Sequence, residues 1–332
     1  MSEKNQIRGT QVVFCCHTFP MSSPSYPNPF ESLLSAVKNN GPCDLPAHGV
    51  TQLTKEQLDE LLAIVPRTSK DRPHLHKANF EGVGFSQGVE FENAVFTSKT
   101  SFLGARFLGE ASFAGAIFKD QAIFKDAIFD SNVKFNNVKF EDEAIFSKVK
   151  FLHLSTFQKV FFAKGANFDQ VQFKHRVKFN TVIFSGKAIF SDSVFGGEIF
   201  FFCGIFYDTV LFERASFGRT SVFFLTTFNG KAVFDGVVFE MRAIFFLARF
   251  KMVSSFKGTI FKGDVNFYGA RSSRPYLETA QHTHEFGIVD EVVTYLPLII
   301  IITAVLFFSL VLCVSILVLC VSILGAMIRD LI

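Results

Sequence analysis

Five residues near the amino terminus are of the types that hold a transition metal: Cys15, Cys16, His17, Cys43 and His48. Structural zinc sites pair such ligands two to four residues apart on both sides of a loop. Here Cys15 and Cys16 are adjacent, and adjacent cysteines cannot easily ligate one ion together. The cluster therefore reads as unligated side chains, and His74-x-His76 and His282-x-His284 read as solvated flanking residues. A carboxylate pair such as Asp142 and Glu143 could do acid–base work only inside a cleft that converges on it. No nucleophile elbow, phosphate loop or metal spacing occurs. The six cysteines show no spacing of a disulfide framework. The expectation is a protein that is not an enzyme, with no cofactor, no metal and no small-molecule substrate.

The elements that would have to position any chemistry are set by phenylalanine. From Phe80 to Phe267 a phenylalanine falls alternately five and six residues after the last, through 35 positions without a miss. Two residues before each stands a small or β-branched residue, 14 of them Ala and 12 Val. A fixed short period means that each unit buries its apolar face only against its neighbours. A helix of 3.6 residues per turn would scatter these positions round its axis. In extended chain, residues i and i−2 share a side, so Ala/Val and Phe face inward together. Pieces of five or six residues are too short to form hairpins of their own, so they must turn corners and stack as a solenoid.

Segments such as Ala78-Asn79-Phe80-Glu81-Gly82, Ala166-Asn167-Phe168-Asp169-Gln170 and Ala215-Ser216-Phe217-Gly218-Arg219 resemble the pentapeptide repeat, A(N/D)(L/F)xx. The resemblance covers about 190 residues in a Phe-centred, eleven-residue-period variant. It implies an all-β solenoid, a right-handed quadrilateral β-helix with the central residue stacked inside. It also brings an alternative function, since some members bind DNA gyrase as acidic duplex mimics. The repeat region here carries 22 Lys/Arg against 18 Asp/Glu, the wrong sign for a mimic of phosphates, and no nucleic acid is expected.

The size of a coil follows from three further rings. Phe202, Phe224 and Phe246 each follow a lattice Phe and lie 22 apart, while Glu213, Asp235 and Lys257 hold the positions between and after them. Apolar and charged alternate from one eleven-residue unit to the next, which predicts 22 residues per coil. The core ladder should then include Phe80, Phe102, Phe124, Phe146, Phe168, Phe179, Phe190, Phe212, Phe234 and Phe256. The residue before each lattice Phe should point outward. From Ile183 onward 11 of 16 such residues are apolar, against 6 of 19 before it. This asymmetry makes Ile189, Phe202, Ile205, Phe224, Val233, Ile244 and Phe246 candidates for an interaction stripe, with plain strand propensity as the competing account. Residues 134–187 also hold ten Lys/Arg against four Asp/Glu, which is either a basic stripe or solubilising surface.

Five regions result: 1–77, Pro-rich with two short helices and a cap; 78–270, the repeat; 271–291, a linker; 292–328, a membrane helix; and 329–332. Asn28-Pro29 should open one helix. Thr54 with Gln57 should start another, carrying Leu58, Leu61, Leu62 and Val65 on one face. Leu296 to Ile328 is 33 residues without a charge and is expected to cross the bilayer once, making lipid a partner. It contains a seven-residue duplication that repeats Ser315 as Ser322 and Cys313 as Cys320, which is either a plain duplication within an apolar anchor, a face for packing a second helix, or a site of acylation. Met1 to Gly9 has no apolar run of a signal peptide, so the repeat domain is expected in the cytoplasm. The functional reading is a membrane-anchored scaffold that meets an unknown protein partner or another copy of itself. A regulatory module of a transporter or channel complex is a further alternative.

Overall fold

A computed structural model describes residues 28–272 and the short strand Gln281–His282. Every coil bends at four places, and its two-residue strands fall into four parallel sheets, which we number I to IV in chain order. Face I carries Ala122–Ile123 and its relatives, face II Ile128–Phe129, face III Val133–Lys134 and face IV Lys139–Phe140. Pairing is in strict register at 22 residues: Ala122 lies beside Ala144, Ile128 beside Lys150, Val133 beside Ser155 and Lys139 beside Phe161. The expected 22-residue coil and four-sided solenoid are therefore observed.

The alternation of five and six residues has a structural meaning. The five-residue intervals span the I–II and III–IV corners, and most are tight turns closed by the amide three residues after the lattice Phe. Val83 N donates to Phe80 O at 3.2 Å, and Ala105 N to Phe102 O at 3.0 Å. The second residue of each turn has positive φ, as at Gly82, Asn93, Gly104 and Asp126, which is the demand of a type II turn. The six-residue intervals span the II–III and IV–I corners, where the additional residue widens the bend and no such conformation is needed.

Inside the rod the lattice rings form columns. On face I, Phe80, Phe102 and Phe124 follow one another at 4.8 and 4.9 Å between centroids, nearly coplanar. The spacing is that of parallel strands, so the backbone imposes the stack. Phe146, Phe168, Phe190, Phe212, Phe234 and Phe256 continue this column, and each is buried. Rings of faces I and III meet edge to face in the middle, as Phe168 does with Phe179 at 5.8 Å and 89°, a favoured aromatic geometry. The inward hydroxyls are more than fillers. Ser193 and Thr226 each donate to a phenylalanine carbonyl one coil below, Phe168 O and Phe201 O, both at 2.6 Å.

The amino-terminal end is closed by a partial coil. Asp44 pairs beside Asn79 on face I, Gln52–Leu53 beside Gly84–Phe85 on face II, and His74–Leu75 beside Val95–Phe96 on face IV. In the position of the third side runs a helix, α2 (Lys55–Ile64), whose Lys55 reaches Glu90 of face III at 3.4 Å. Its capping box is formed as expected: Gln57 N donates to Thr54 Oγ1 at 3.2 Å and Thr54 N to Gln57 Oε1 at 3.0 Å. Leu58, Leu61 and Val65 are buried and Leu62 packs against the core. An earlier helix, α1 (Pro29–Lys38), is capped by Asn28 and packs Phe30, Leu33, Leu34 and Val37 inward. The cap thus covers strand edges that an open solenoid would expose.

The expected membrane helix Leu296–Ile328 lies outside the described residues, as do Cys15, Cys16 and His17. Among the described residues no helix is long and apolar enough to cross a membrane.

Candidate interaction surface

Of the metal-type residues that are described, Cys43 is buried, and burial pushes its thiol up to about 12. His48 spends its Nδ1 on the Ser32 hydroxyl at 3.0 Å. His76 is likewise engaged, with Ser98 Oγ at 2.9 Å. Asp142 is held below the usual carboxylate range by its hydrogen bond from Lys164, and this ion pair lies on an open corner, not in a cleft. The basic run 134–187 is dealt out to three faces and the corners: Lys134 and Lys178 on face III, Lys139 on face IV, Lys150 on face II, and Lys148 and Lys164 at corners. It is no one-sided stripe. Several of its members pair with carboxylates, as Lys164 does with Asp142 at 2.5 Å and Arg176 with Glu198 at 2.7 Å.

The seven candidate contact residues do not share one stripe either. Ile189 and Val233 belong to face I, Ile205 to face IV, and Ile244 to face III. Faces I and III are opposite sides of the coil. Val233 is also only 4% exposed. The four that the fold does bring together are Phe202, Phe224, Phe246 and Ile244, at face III and its corner with face IV.

There, three neighbouring columns change character between the same two coils. The outward strand residues of face III run Glu90, Ser112, Lys134, Thr156, Lys178 and then Phe200, Val222, Ile244, Asn266. The first corner residue runs Glu92, Ala114, Asn136, Gln158, Asn180 and then Phe202, Phe224, Phe246, Tyr268. The second runs Asn93, Gly115, Asn137, Lys159, Thr181 and then Cys203, Leu225, Leu247, Gly269, all with positive φ. Sequence reasoning found the three phenylalanines and the outward Phe200 but missed Tyr268, Leu225 and Leu247 as their neighbours. The 22-residue spacing of Tyr268 from Phe246 was the available signal.

The aromatic column is continuous. Phe202 meets Phe224 at 5.5 Å, Phe224 stacks on Phe246 at 5.5 Å, and Phe246 on Tyr268 at 5.6 Å. Phe200 stacks against Phe202 at 5.7 Å, and the Arg176 guanidinium lies over its ring at 5.8 Å. Phe246 is buried between its neighbours, while Phe202 and Tyr268 at the two ends are 37% and 48% exposed. Leu225 and Leu247 are 38% and 36% exposed. Below the switch, the side-chain oxygen of Asn180 is buried without a hydrogen bond, at the margin of the apolar patch.

Strand propensity cannot account for the two corner columns. Their residues are not in strands, and the I–II corner provides an internal control with the same positive-φ position. Beyond the switch it reads Ser191-Asp192, Glu213-Arg214, Asp235-Gly236 and Lys257-Gly258, charged or small throughout. Arg214 there clamps Asp192 through two bonds of 2.7 and 2.6 Å, and this hydrogen bonding holds the Asp192 carboxyl below its ordinary range. Leucine is moreover a poor residue for positive φ, which costs a side chain with Cβ about 1–2 kcal/mol. Leu225 and Leu247 thus accept both backbone strain and exposure to water, a combination that marks a surface under other demands.

No curated protein matches the chain, and no solved structure matches it. A family model described as Pentapeptide repeats (9 copies) matches residues 71–128 and 91–139. Those residues include coils of the same register and turn that continue unbroken to Ser272. The described array is accordingly a four-sided β-solenoid whose residues 71–139 are similar to pentapeptide repeats.

Proposed function

We propose that the protein is a non-enzymatic scaffold: a rigid rod held at a membrane by Leu296–Ile328, with its contact surface on face III and the III–IV corner of the last four coils. The single observation that carries this reading is the joint switch of three adjacent columns from polar to apolar at one coil boundary. A filled solenoid has no interior for substrate, so its function has to lie on its outside. Exposed apolar surface that the fold does not need, set on an otherwise polar rod, is the physical signature of a surface that becomes covered. The anchor reading rests on the uncharged 33-residue run, longer than the ~20 residues that cross a hydrocarbon core.

Alkaline extraction of membranes from cells making the full chain tests the anchor. The chain should stay with the lipid, and a variant with Val311→Lys and Ile316→Lys should be released. Release of the unaltered chain would sink the anchor. Leu225→Asp with Leu247→Asp tests the surface. Both side chains are exposed, so the rod should keep its cooperative melt while losing the cross-linked or lipid contacts of the parent. A variant that keeps every contact would show that the patch is bystander composition.

A further inference from the structure

The apolar patch, its flanking charges and the reach of the chain point to one occupant: we infer that the III–IV corner of the last four coils rests in the headgroup region of an anionic phospholipid bilayer. The inference deepens the scaffold reading above and rests on its anchor. From Phe202 to Tyr268 the aromatic column rises three coils, about 15 Å at the strand spacing. Over that height none of the outward residues of face III or of its corner with face IV is charged. Aromatic rings with aliphatic side chains between them are the composition that partitions into the membrane interface.

The charges stand beside the patch, not within it. On face IV, immediately past the corner, Arg249 and Arg271 are exposed and form no ion pair among the described residues. On the other flank Arg242 and Lys262 are paired, with Asp264 at 3.7 Å and Glu240 at 2.9 Å. That flank keeps one further cation, Arg219, outside any ion pair among the described residues, so both borders of the ridge are cationic. An apolar ridge between cationic borders fits lipid tails beside anionic headgroups. A second copy docking the same ridge would bring Arg249 and Arg271 of both chains toward one apolar seam.

Reach agrees. The last described strand, Gln281–His282, pairs beside Ile260–Phe261 on face II. Thirteen residues separate His282 from Leu296, and the steps between the two, at about 3.3–3.6 Å each, make at most about 50 Å of chain. A rod tethered so closely meets the bilayer with its last coils before its first, and it is the last coils that turn apolar.

The chain contains no tryptophan, so one introduced ring reports alone. Phe202→Trp and Gln158→Trp occupy the same corner column on either side of the switch. The full chain would be reconstituted into phosphatidylcholine vesicles with and without phosphatidylserine, using acyl chains brominated near the headgroup. Phe202→Trp should lose most of its emission to the bromines and shift to the blue, more so with phosphatidylserine. Gln158→Trp should keep its emission, and both variants should float with the vesicles. Adding Arg219→Gln, Arg249→Gln and Arg271→Gln should remove the phosphatidylserine dependence. Flotation without quenching at residue 202 would overturn this contact and leave the anchor standing, whereas failure to float would overturn both. Equal quenching at both positions would also overturn it, because the whole edge would then lie on lipid. A Phe202→Trp emission already blue-shifted in detergent, in chains that cross-link to one another, would assign the ridge to a second copy instead.

Discussion

Phe224 and Phe246 stack on the outside of the rod, their ring centroids 5.5 Å apart and their planes 6° from parallel. One residue back in each coil, Phe223 and Phe245 stack on the inside at 4.8 Å and 3°. The same coil repeat that drives the inner column thus builds an outer one. The inner rings are shielded by the sheets, whereas the outer ones are flanked in their column by Phe202 and Tyr268.

The inner column should be intolerant of holes. Phe179 is fully buried between Phe157 at 4.7 Å and Phe201 at 4.8 Å. Strands fixed at their pairing distance cannot close round a missing ring, so Phe179→Ala should cost ~3–5 kcal/mol. Ala188→Lys should cost more, because it buries an unpaired charge. Equilibrium melts that leave either variant within about 1 kcal/mol of the parent would contradict the inward assignment.

Leu225 offers the opposite test. Its φ of 53° suits asparagine better than leucine. Leu225→Asn should leave stability unchanged or raise it by up to about 1 kcal/mol, since the strain of a left-handed side chain is relieved. In the matching position of the I–II corner, Gly236 at φ 67°, a leucine should lower stability by a similar amount. A marked loss from Leu225→Asn would mean that this leucine packs for the fold.

The buried hydroxyls should differ among themselves. Phe201 O takes the Thr226 hydroxyl at 2.6 Å and no backbone donor among the described residues. Phe234 O takes Thr259 Oγ1 at 2.7 Å and keeps Val237 N at 3.1 Å. Thr226→Val, which leaves a buried carbonyl unpaired, should therefore cost ~1–3 kcal/mol, and Thr259→Val clearly less. Chemical denaturation of the two variants side by side decides it.

Cys43 should report on alkaline pH. Desolvation by burial, with Asp44 adding to it, raises its thiol from 9.0 to about 12. A folded-state value above the unfolded one means that the neutral thiol favours the fold. The stability it contributes is fully present below about 9 and is lost as pH rises toward about 12. The difference in stability between parent and Cys43→Ala should narrow over that window. At pH 8 native Cys43 should resist a thiol reagent that labels the exposed Cys203.

The period of the phenylalanines determined the coil, because only one chain path lets residues five and six apart all face inward and repeat in register at 22. The same period held the outer column of Phe202, Phe224 and Phe246. The capping box of α2 was set locally by Thr54 and Gln57, which act within one helical turn. What the period could not determine was which outward residues share a side. Ile205, Val233 and Ile244 look alike in a list of positions preceding Phe, yet they lie on three different faces. Neighbourhood across a corner depends on where the turns fall: Phe200, Phe202 and Leu225 became one surface only once the positive-φ turn was assigned to the five-residue interval. The basic run 134–187 dissolved for the same reason, since adjacent numbers on a solenoid are dealt to different sides. Local periodicity fixes what a residue does for its own coil, and stacking decides which residues meet on the outside.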